Sequence, residues 1–384
     1  MALKGIKVLE LVGLAPVPFC GQILRDFGAK VLRLDNVRNP IGPNLQMFSA
    51  GKDTIKLNLK SSSGVKIVHQ LIAEQKTDVF LDPFRPGVLE KLDLGPEKLT
   101  SLNPELVYAR ISSYGQTGPM ANFAGHDINF VALSGVLSRL GPKNGPPIAP
   151  INLLGDFASG SALCALGIVM ALLERTNSGR GQVIDHSMTE GISYLSTFLW
   201  ETMKQQELMW PNYPSRASNM LDSGAPWYRC YETSDGKYLA VGALETKFYN
   251  AFIKTIGFDD TDFPQYGVET WPECAKKIES IIASKTLNEW VQLFSKVDAC
   301  VTPVLELEEA SKSDIHKSRN SFCSKTGLPN PAPKLSRTPG QRGEPNSGGT
   351  ITQVILSQLG YSNDQILKLI DDGVIDDPES DDDI

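Results

Sequence analysis

Short apolar runs alternate with longer helical patterns along the first half of the chain. The runs predict strands at 8–11, 31–35, 55–59, 78–81, 106–110 and 183–184. Apolar residues at helical spacing predict helices at 18–27, 64–74, 157–173 and 189–206. Strands that are apolar at almost every residue and alternate with helices are typical of a parallel sheet covered on both faces, so this half is predicted to be an α/β domain.

A different pattern occupies the second half. Two strand-like segments, 227–233 and 238–241, flank Ser234-Asp235-Gly236-Lys237, which is a strong hairpin signal. Helical patterns follow at 246–256, 272–284 and 287–297. A further strand is predicted at 301–305, at a sheet edge because Pro303 cannot donate a ladder hydrogen bond. This part is predicted to be a smaller α+β domain.

Several segments have no apolar periodicity. Residues 206–226, rich in Trp, Pro and Asn towards their end, are interpreted as a linker, and 318–349 as a long surface connection. Two helices, 350–359 and 363–370, follow that connection. The last residues, 371–384, hold eight acidic residues and neither Lys nor Arg, so a disordered acidic tail is predicted.

Charge and cysteine content narrow the class of protein. The net charge is −7, but the chain without its acidic tail is nearly neutral, which argues against a nucleic-acid-binding surface. The longest apolar run, 162–173, is shorter than the roughly 18–20 residues of a membrane span. Six scattered cysteines without a CxxC pair predict reduced thiols and no zinc site. Residues 1–7 show no secretory or transit signal, so a soluble intracellular protein is expected.

Two residues are candidates for acid–base chemistry. His126 follows Ala124 and Gly125 at a predicted helix start near the carboxyl edge of the sheet, where ligands bind in α/β folds. A structural role is the equal alternative for this histidine. Asp156 stands before a predicted helix that opens with small residues, which would let a substrate approach its N–H groups. The alternative for Asp156 is an ordinary N-cap, because Asp is a favoured capping residue.

Two common enzyme fingerprints are missing from the sequence. The segment after the first strand, Leu11-Val12-Gly13-Leu14-Ala15-Pro16, lacks the GxGxxG pattern. Its absence disfavours a nicotinamide-dependent dehydrogenase. No Gly-x-Ser-x-Gly elbow occurs either, which disfavours an α/β-hydrolase.

Several longer motifs carry a resemblance to a known family. They are Gly125-His126-Asp127-Ile128-Asn129-Phe130, Asn152-Leu153-Leu154-Gly155-Asp156-Phe157, Gly181-Gln182-Val183-Ile184-Asp185, the segment from Asn219 to Pro226, Ala240-Val241-Gly242-Ala243-Leu244-Glu245, and the segment from Asp298 to Leu305. Their order and separation resemble those of the α-methylacyl-CoA racemases, which are members of the family III CoA-transferases. The likeness begins at the first strand and weakens only near Ile370.

The resemblance implies three catalytic residues. His126 matches the histidine base of the racemases and Asp156 matches their aspartate, one for each face of C2 of the acyl group. Glu245 matches a glutamate that lies near the histidine across the dimer and orients it. Without the resemblance, Glu245 is equally a surface carboxylate after a strand.

The resemblance also implies the architecture. A Rossmann-like large domain is built from both chain ends, here 1–205 and 318–370, and a small domain, here 227–317, lies between them. Two such chains interlock as a homodimer. The expected compartment is peroxisomal or mitochondrial, with the cytoplasm as the alternative.

CoA is part of the substrate, and the resemblance implies which segments hold it. The matching positions are Arg38, Leu57, Asn58, Leu59, Lys60, Arg85, Gly125, Asp127, Ile128, Asn129 and Phe130. Asn36 stands where the racemases have an arginine, so Arg38 is the candidate for that phosphate contact. Asn58 replaces an aspartate and Phe130 a tyrosine of the family pattern. Neither a metal nor a separate cofactor is implied.

The predicted chemistry is inversion at C2 of a 2-methyl-branched acyl-CoA. One of His126 and Asp156 removes the α-proton, which the thioester acidifies, and the other returns a proton to the opposite face of the enolate. Backbone N–H groups of the helix after Asp156 are predicted to bind the enolate oxygen. One alternative is a family III CoA-transferase in which Asp156 attacks the thioester as a nucleophile. A non-catalytic CoA-binding protein is the other.

Overall fold

The computed structural model describes residues 1–37, 47–258, 261, 263–344 and 351–376. Its contacts divide the chain into two compact units. The first contains Met1–Ser134, Ile151–Leu195 and the chain from Phe322 onward, and the second contains Gly135–Pro150 and Ser196–Ser321. The first unit is therefore built from both ends of the chain. Residues 135–150, 196–205 and 318–321, which the sequence assigned to the large domain, belong to the second unit.

The first unit contains a six-stranded parallel sheet. Its strands are β1 (Lys7–Leu11), β2 (Lys30–Asp35), β3 (Asp53–Lys56), β4 (Val79–Asp82), β5 (Val107–Ser112) and β6 (Val183–Ser187). They lie in the order β3-β2-β1-β4-β5-β6. This is the order of the doubly wound nucleotide-binding folds, whose ligand crevice lies outside the carboxyl ends of the strands where the order reverses, here between β1 and β4. The predicted α/β class and all six predicted strands are confirmed.

Helices cover the sheet of the first unit. They are α1 (Pro16–Asp26), α2 (Ser62–Ala73), α3 (Pro96–Leu102), α4 (Asp127–Leu133), a π-helix (Leu153–Leu163) that continues as α5 (Cys164–Ser178), and α6 (Met188–Leu195). The π-helix and α5 together form the one described helix that is long and apolar enough to cross a membrane, but half of its apolar window is buried within the protein. The predicted helix 189–206 is wrong in its length, because it breaks after Leu195.

The second unit is an α+β structure. Its antiparallel sheet has the order β7-β8-β9, with β7 (Tyr228–Glu232), β8 (Tyr238–Gly242) and β9 (Val301–Pro303). Its helices are α7 (Thr197–Thr202), α8 (Gln206–Met209), α9 (Thr246–Ile256), α10 (Trp271–Ile282), α11 (Leu287–Phe294), α12 (Leu307–Lys312) and α13 (Asp314–Ser318). The predicted hairpin and the edge position of Pro303 are confirmed. Interpreting 206–226 as a linker is wrong, because Met220 and Ala225 are part of the buried core of this unit.

The C-terminal segment returns to the first unit as α14 (Thr352–Gln358) and α15 (Asn363–Asp371). Leu356 and Leu369 are buried in the same core as β1 and β4. The prediction that the disordered tail begins at 371 is wrong. Ile375 is buried and forms a β-bridge with Leu57, and these contacts extend the ordered structure beyond α15. Residues 377–384 lie outside the described residues.

Short 3₁₀ segments complete the described structure, at Glu90–Leu92, Val136–Arg139, Met203–Gln205 and Val268–Thr270.

Candidate active site

His126 is the N-cap of α4. Its backbone is extended, with φ −126° and ψ 174°. Asn129 Oδ1 accepts a hydrogen bond from the His126 N–H at 3.0 Å, and the Asn129 N–H donates to the His126 carbonyl at 2.8 Å. These reciprocal bonds fix the backbone of His126 at the helix start, while its imidazole is exposed to solvent. The imidazole is therefore available to a ligand.

Asp156 lies inside the first turn of the π-helix. The N-cap of this helix is Asn152, so both sequence interpretations of Asp156, as the residue before a helix and as an N-cap, are wrong. The Asp156 side chain is buried, and its Oδ2 accepts a hydrogen bond from Asn152 Nδ2 at 2.7 Å. Ile151 and Asn152 have left-handed backbones with φ of 54° and 59°. A β-branched residue rarely adopts this conformation, and such strain occurs most often at functional sites.

Asp127 joins the helix that begins after His126 to the turn that carries Asp156. Its Oδ1 accepts hydrogen bonds from the N–H of Gly155 at 2.6 Å and from the N–H of Asp156 at 2.9 Å. A Cβ atom at Gly155 would lie 2.5 Å from the same oxygen, so this position requires glycine. The charge of His126 acts on Asp156 electrostatically. The structure therefore brings the two predicted acid–base residues to neighbouring helix ends.

The surroundings of Asp156 favour its protonated form. Burial raises the pKa of the Asp156 carboxyl, and the negative charge of Asp127 raises this pKa further. The hydrogen bond from Asn152 and the charge of His126 act in the opposite direction. The net effect is a raised pKa, so the carboxyl stays protonated to a higher pH than an ordinary aspartate does. Shifts of this kind are typical of acid–base residues.

The small residues after Asp156 serve packing. Ser159 Oγ donates to the Met188 carbonyl and Ser161 Oγ to the Pro16 carbonyl, both at 2.8 Å. A Cβ atom at Gly160 would lie 2.8 Å from Met188 Sδ. These residues are buried beneath the turn, so the prediction that they let a substrate approach the helix is wrong.

The predicted source of oxyanion contacts also needs correction. The N–H groups of Gly155 and Asp156 bind Asp127, and the Phe157 N–H bonds to the Asn152 carbonyl within the π-helix at 3.3 Å. By contrast, the N–H groups of Asp127 and Ile128 are the first two of α4 and cannot bond within that helix. No acceptor for them lies in the described part of the chain.

The predicted CoA-binding segments follow the carboxyl ends of neighbouring strands. Arg85 comes three residues after β4, is exposed, and donates from Nη1 to the Asn122 carbonyl at 3.2 Å. At the same sheet edge, a Cβ atom at Gly13, in the turn after β1, would lie 2.5 Å from Pro83 Cβ. Arg85 thus lies beside the crevice where the strand order reverses. Arg38 lies outside the described residues.

The segment after β3 is partly built into the core. Leu57 is buried, and Leu59 packs against the same core. Asn58 Nδ2 donates to the Gly373 carbonyl at 3.4 Å, and its Oδ1 accepts from the Lys60 N–H at 3.1 Å. Only Lys60 has an exposed side chain here. Of this predicted segment, the Lys60 side chain is the part that a ligand can reach most readily.

The 125–130 motif likewise contains both buried and exposed residues. Phe130 is buried, and its ring meets that of Tyr114 edge to face at 5.6 Å. Gly125 allows this packing, since a Cβ atom there would lie 2.8 Å from the Phe130 ring. Ile128 and Asn129 are exposed. The exposed side chains at this helix start are therefore those of His126, Ile128 and Asn129.

Glu245 belongs to the second unit. It is the N-cap of α9, with exposed side chain and extended backbone. Its predicted role towards the histidine of another chain stays a prediction. Within the described ranges, no group of three or more His, Cys, Asp or Glu side chains is arranged to hold a metal ion.

Sequence reasoning missed two contributions to the site. Asn152 was recognised only as part of a motif, and Asp127 only as a CoA contact, although its carboxylate bonds to the backbone beside Asp156. For Asn152 a signal existed, because Asn four residues before Asp is at helical spacing and Asn tolerates the left-handed conformation. No local signal pairs Asp127 with residues 28 and 29 positions further along the chain.

The comparisons with known proteins agree with this fold. Residues 3–349 match CoA-transferase family III, so the chain belongs to that family. It is 48% identical to the alpha-methylacyl-CoA racemase of Mus musculus over 98% of each chain, and 46% identical to that of Homo sapiens over 98% of each. A solved CAIB/BAIF family protein from Brucella suis has the same fold, with a TM-score of 0.77 at 22% identity, covering 93% of this chain and 99% of that one.

Proposed function

We propose that this chain is an acyl-CoA racemase that inverts C2 of 2-methyl-branched acyl-CoA thioesters. The observation that carries the proposal is the pairing of His126 with Asp156 at two helix ends held together by Asp127. Relatives at 46–48% identity over nearly their whole length are alpha-methylacyl-CoA racemases, which supports the same reaction here.

The reaction needs a proton acceptor and a proton donor on opposite faces of one carbon. The α-proton of a thioester is acidic because the carbanion delocalises onto the carbonyl oxygen. For one epimer, neutral His126 removes the proton and protonated Asp156 delivers another, and for the other epimer the roles reverse. Positioned acid–base groups of this kind contribute typically about 10²–10⁴-fold each.

The enolate oxygen also needs hydrogen-bond donors. The N–H groups of Asp127 and Ile128 adjoin His126 and have no acceptor among the described residues. Preorganised backbone donors of this kind stabilise developing negative charge in a site shielded from water. We therefore assign the enolate oxygen to the start of α4 in place of the helix after Asp156. The reaction as proposed uses no metal and no cofactor apart from the CoA of the substrate.

CoA binding is proposed at the carboxyl edge of the sheet. Arg85 adjoins the reversal crevice, and Lys60 follows β3 at the same edge with an exposed ammonium group. Both cations suit the phosphates of CoA. The exposed residues of the 125–130 motif would then hold the thioester end beside His126. Asn36 stands where the racemases have an arginine, and the proposal assigns the phosphate contact of that arginine to Arg38.

A homodimer is proposed as the working form. Leu166, Met170 and Leu173 project from α5 and are 53–66% exposed. Their spacing places them on one face of the helix, and contiguous exposed apolar faces mark interaction surfaces. A second copy of the chain would cover this face, and Glu245 would then orient His126 of the partner subunit. A peroxisomal or mitochondrial location rests on the family resemblance alone.

A CoA-transferase is the second candidate for this family. In that reaction the ionised Asp156 attacks the thioester carbonyl and forms a mixed anhydride. Asp156 fits this role as well and does not discriminate between the two reactions, but a transferase has no use for an exposed base at His126. The site therefore favours proton transfer.

The proposal is tested by incubating one epimer of a 2-methylacyl-CoA with the purified full-length protein and resolving the epimers after hydrolysis. Approach to an equal mixture supports the racemase. Retained configuration, with CoA passing to added carboxylic acids, contradicts it and assigns the transferase reaction.

A further inference from the structure

Asp127 is almost fully buried, with 2% of the residue exposed, although it is the neighbour of the exposed His126. One oxygen, Oδ1, accepts two backbone N–H groups from the first turn of the π-helix, at 2.6 and 2.9 Å. These donors have no partner within their own helix, because the first N–H groups of a helix never do. The side chain of Asp127 is thus committed to the turn that carries Asp156 and is not free to contact CoA.

We propose that Asp127 is a positioning residue for the proton transfer, whose carboxylate fixes the turn of Asp156 relative to its own neighbour in the chain, His126. The two acid–base groups must lie on opposite faces of one carbon atom, and displacements of about 1 Å can reduce turnover about 10²-fold. The hydrogen bonds of the Asp127 carboxylate hold the two helix ends together and so meet this requirement. The inference rests on the proposed function and adds a residue to its machinery.

Gly155 supports the same assignment. A Cβ atom at this position would lie 2.5 Å from Asp127 Oδ1 and 3.3 Å from Asp127 Cα. The absence of a side chain lets the turn approach Asp127 closely enough for both hydrogen bonds. The close approach therefore requires both the Asp127 carboxylate and a glycine at position 155.

The second carboxylate oxygen gives Asp127 an electrostatic role. Asp127 Oδ2 is buried and has no hydrogen-bond partner among the described residues, so its charge is poorly screened. That charge raises the pKa of Asp156, after the larger effect of burial. Two amide donors need only an oxygen acceptor, which an asparagine would also supply. The positional role and the charge of Asp127 are thus separable by substitution.

The other charges near Asp156 are few. His126, also from the start of α4, lowers its pKa, and Asn152 donates a hydrogen bond to the carboxylate. The remaining titratable groups on the helices packed against this turn are Cys20, Arg25 and Asp26 of α1, Cys164, Glu174 and Arg175 of α5, and Glu190 and Tyr194 of α6, and none of these acts on the pKa of Asp156. Asp127 is therefore the only carboxylate among the described residues that raises it electrostatically.

The test compares Asp127→Ala and Asp127→Asn in the full-length protein by two readouts. Amide hydrogen exchange at Gly155 and Asp156 measures the hydrogen bonds to Asp127. The pH profile of kcat/KM for epimerisation measures the effect of the Asp127 charge on Asp156. Asp127→Ala is expected to lose at least about tenfold of the amide protection and about 10²-fold in kcat, with KM within about twofold. Asp127→Asn is expected to keep the protection and to move the acidic limb of the profile to lower pH.

The control is Asp82→Asn, which removes another buried carboxylate of the same unit that also accepts a backbone N–H, that of Phe84. It is expected to leave both the amide protection and the acidic limb in place. Two results would overturn the proposal: amide protection in Asp127→Ala equal to that of the wild-type protein, or an acidic limb in Asp127→Asn that does not move. If the wild-type protein does not epimerise, the racemase proposal fails, and the amide protection still decides whether Asp127 holds the turn.

Discussion

Asn152 donates a hydrogen bond from its side-chain amide to the buried carboxylate of Asp156 at 2.7 Å, across the first turn of the π-helix. The bond favours the ionised carboxylate and so opposes burial, which raises the pKa of Asp156. Asn152 also begins the turn with a left-handed backbone, φ 59°. Asn152 therefore sets both the start of the helix and the ease with which Asp156 loses its proton.

The substitution Asn152→Gly separates these two contributions, because glycine adopts the left-handed backbone without strain. The variant loses the hydrogen bond, so the pKa of Asp156 rises and the acidic limb of the kcat/KM profile moves to higher pH. A hydrogen bond to a charged group is worth about 1.5–3 kcal/mol, which predicts a fall in kcat/KM of about 10- to 100-fold for the epimer whose proton the ionised Asp156 removes. An unchanged profile would mean that this bond has no part in setting the proton affinity of Asp156.

Removal of either acid–base group should abolish epimerisation. We expect His126→Ala and Asp156→Ala each to lose about 10²–10⁴-fold in turnover while keeping a wild-type circular dichroism spectrum, since neither side chain is part of a hydrophobic core. Each variant should still exchange the C2 proton of one epimer with solvent, and the two variants should act on opposite epimers. Near-normal epimerisation by either folded variant would exclude the two-base assignment.

The apolar face of α5 predicts how the proposed dimer can be disrupted. The double substitution Leu166→Glu and Met170→Glu places two charges on exposed positions of this face. Sedimentation velocity at micromolar concentration is expected to show a dimer for the wild-type protein and a monomer for the variant. Leu367→Glu, at an equally exposed leucine of α15, is the control and should stay dimeric. A wild-type monomer, or a dimeric double variant, would contradict this interface.

Asp82 predicts a pH dependence of stability. It is fully buried at the end of β4, where Arg110 Nε donates to it at 3.1 Å, and burial raises the pKa of this carboxyl to about 6. The folded protein therefore holds this proton more tightly than the unfolded chain does. The resulting stabilisation is fully present below the unfolded pKa of about 3.9 and is lost as the pH rises through about 6.

Urea unfolding from pH 4 to pH 7 tests this dependence by comparing the wild-type protein with Asp82→Asn. The wild-type protein should lose about 3 kcal/mol of unfolding free energy relative to the variant over this interval, because the shift is about two pKa units. Parallel curves for the two proteins would contradict the raised pKa.

The fold was largely predictable because its strands are apolar on both faces. Leu9 and Phe80, for example, belong to short apolar runs flanked by helical patterns, and such runs predict buried strands. The C-terminal end was predicted less well. Val374 and Ile375 are two apolar residues within an acidic segment, and only their burial in the core of the first unit shows that they are ordered.

The geometry of the candidate site was less predictable than the fold. His126 was correctly placed at a helix start, because small residues precede it. Asp156 was misplaced by several residues, because the helix begins at Leu153 after two left-handed residues, and local sequence preferences do not predict that conformation for Ile151. The bonds from Asp127 to this turn join residues far apart in sequence, and no periodicity indicates such contacts.

Exchange of the C2 proton tests the central claim most directly. Proton NMR follows a single epimer of a 2-methylacyl-CoA with the full-length protein in D₂O. Proton transfer through His126 and Asp156 predicts loss of the C2 proton signal, collapse of the methyl doublet and appearance of both epimers. A retained C2 proton over hours, with transfer of CoA to an added carboxylic acid, would contradict the racemase and make Asp156 a nucleophile.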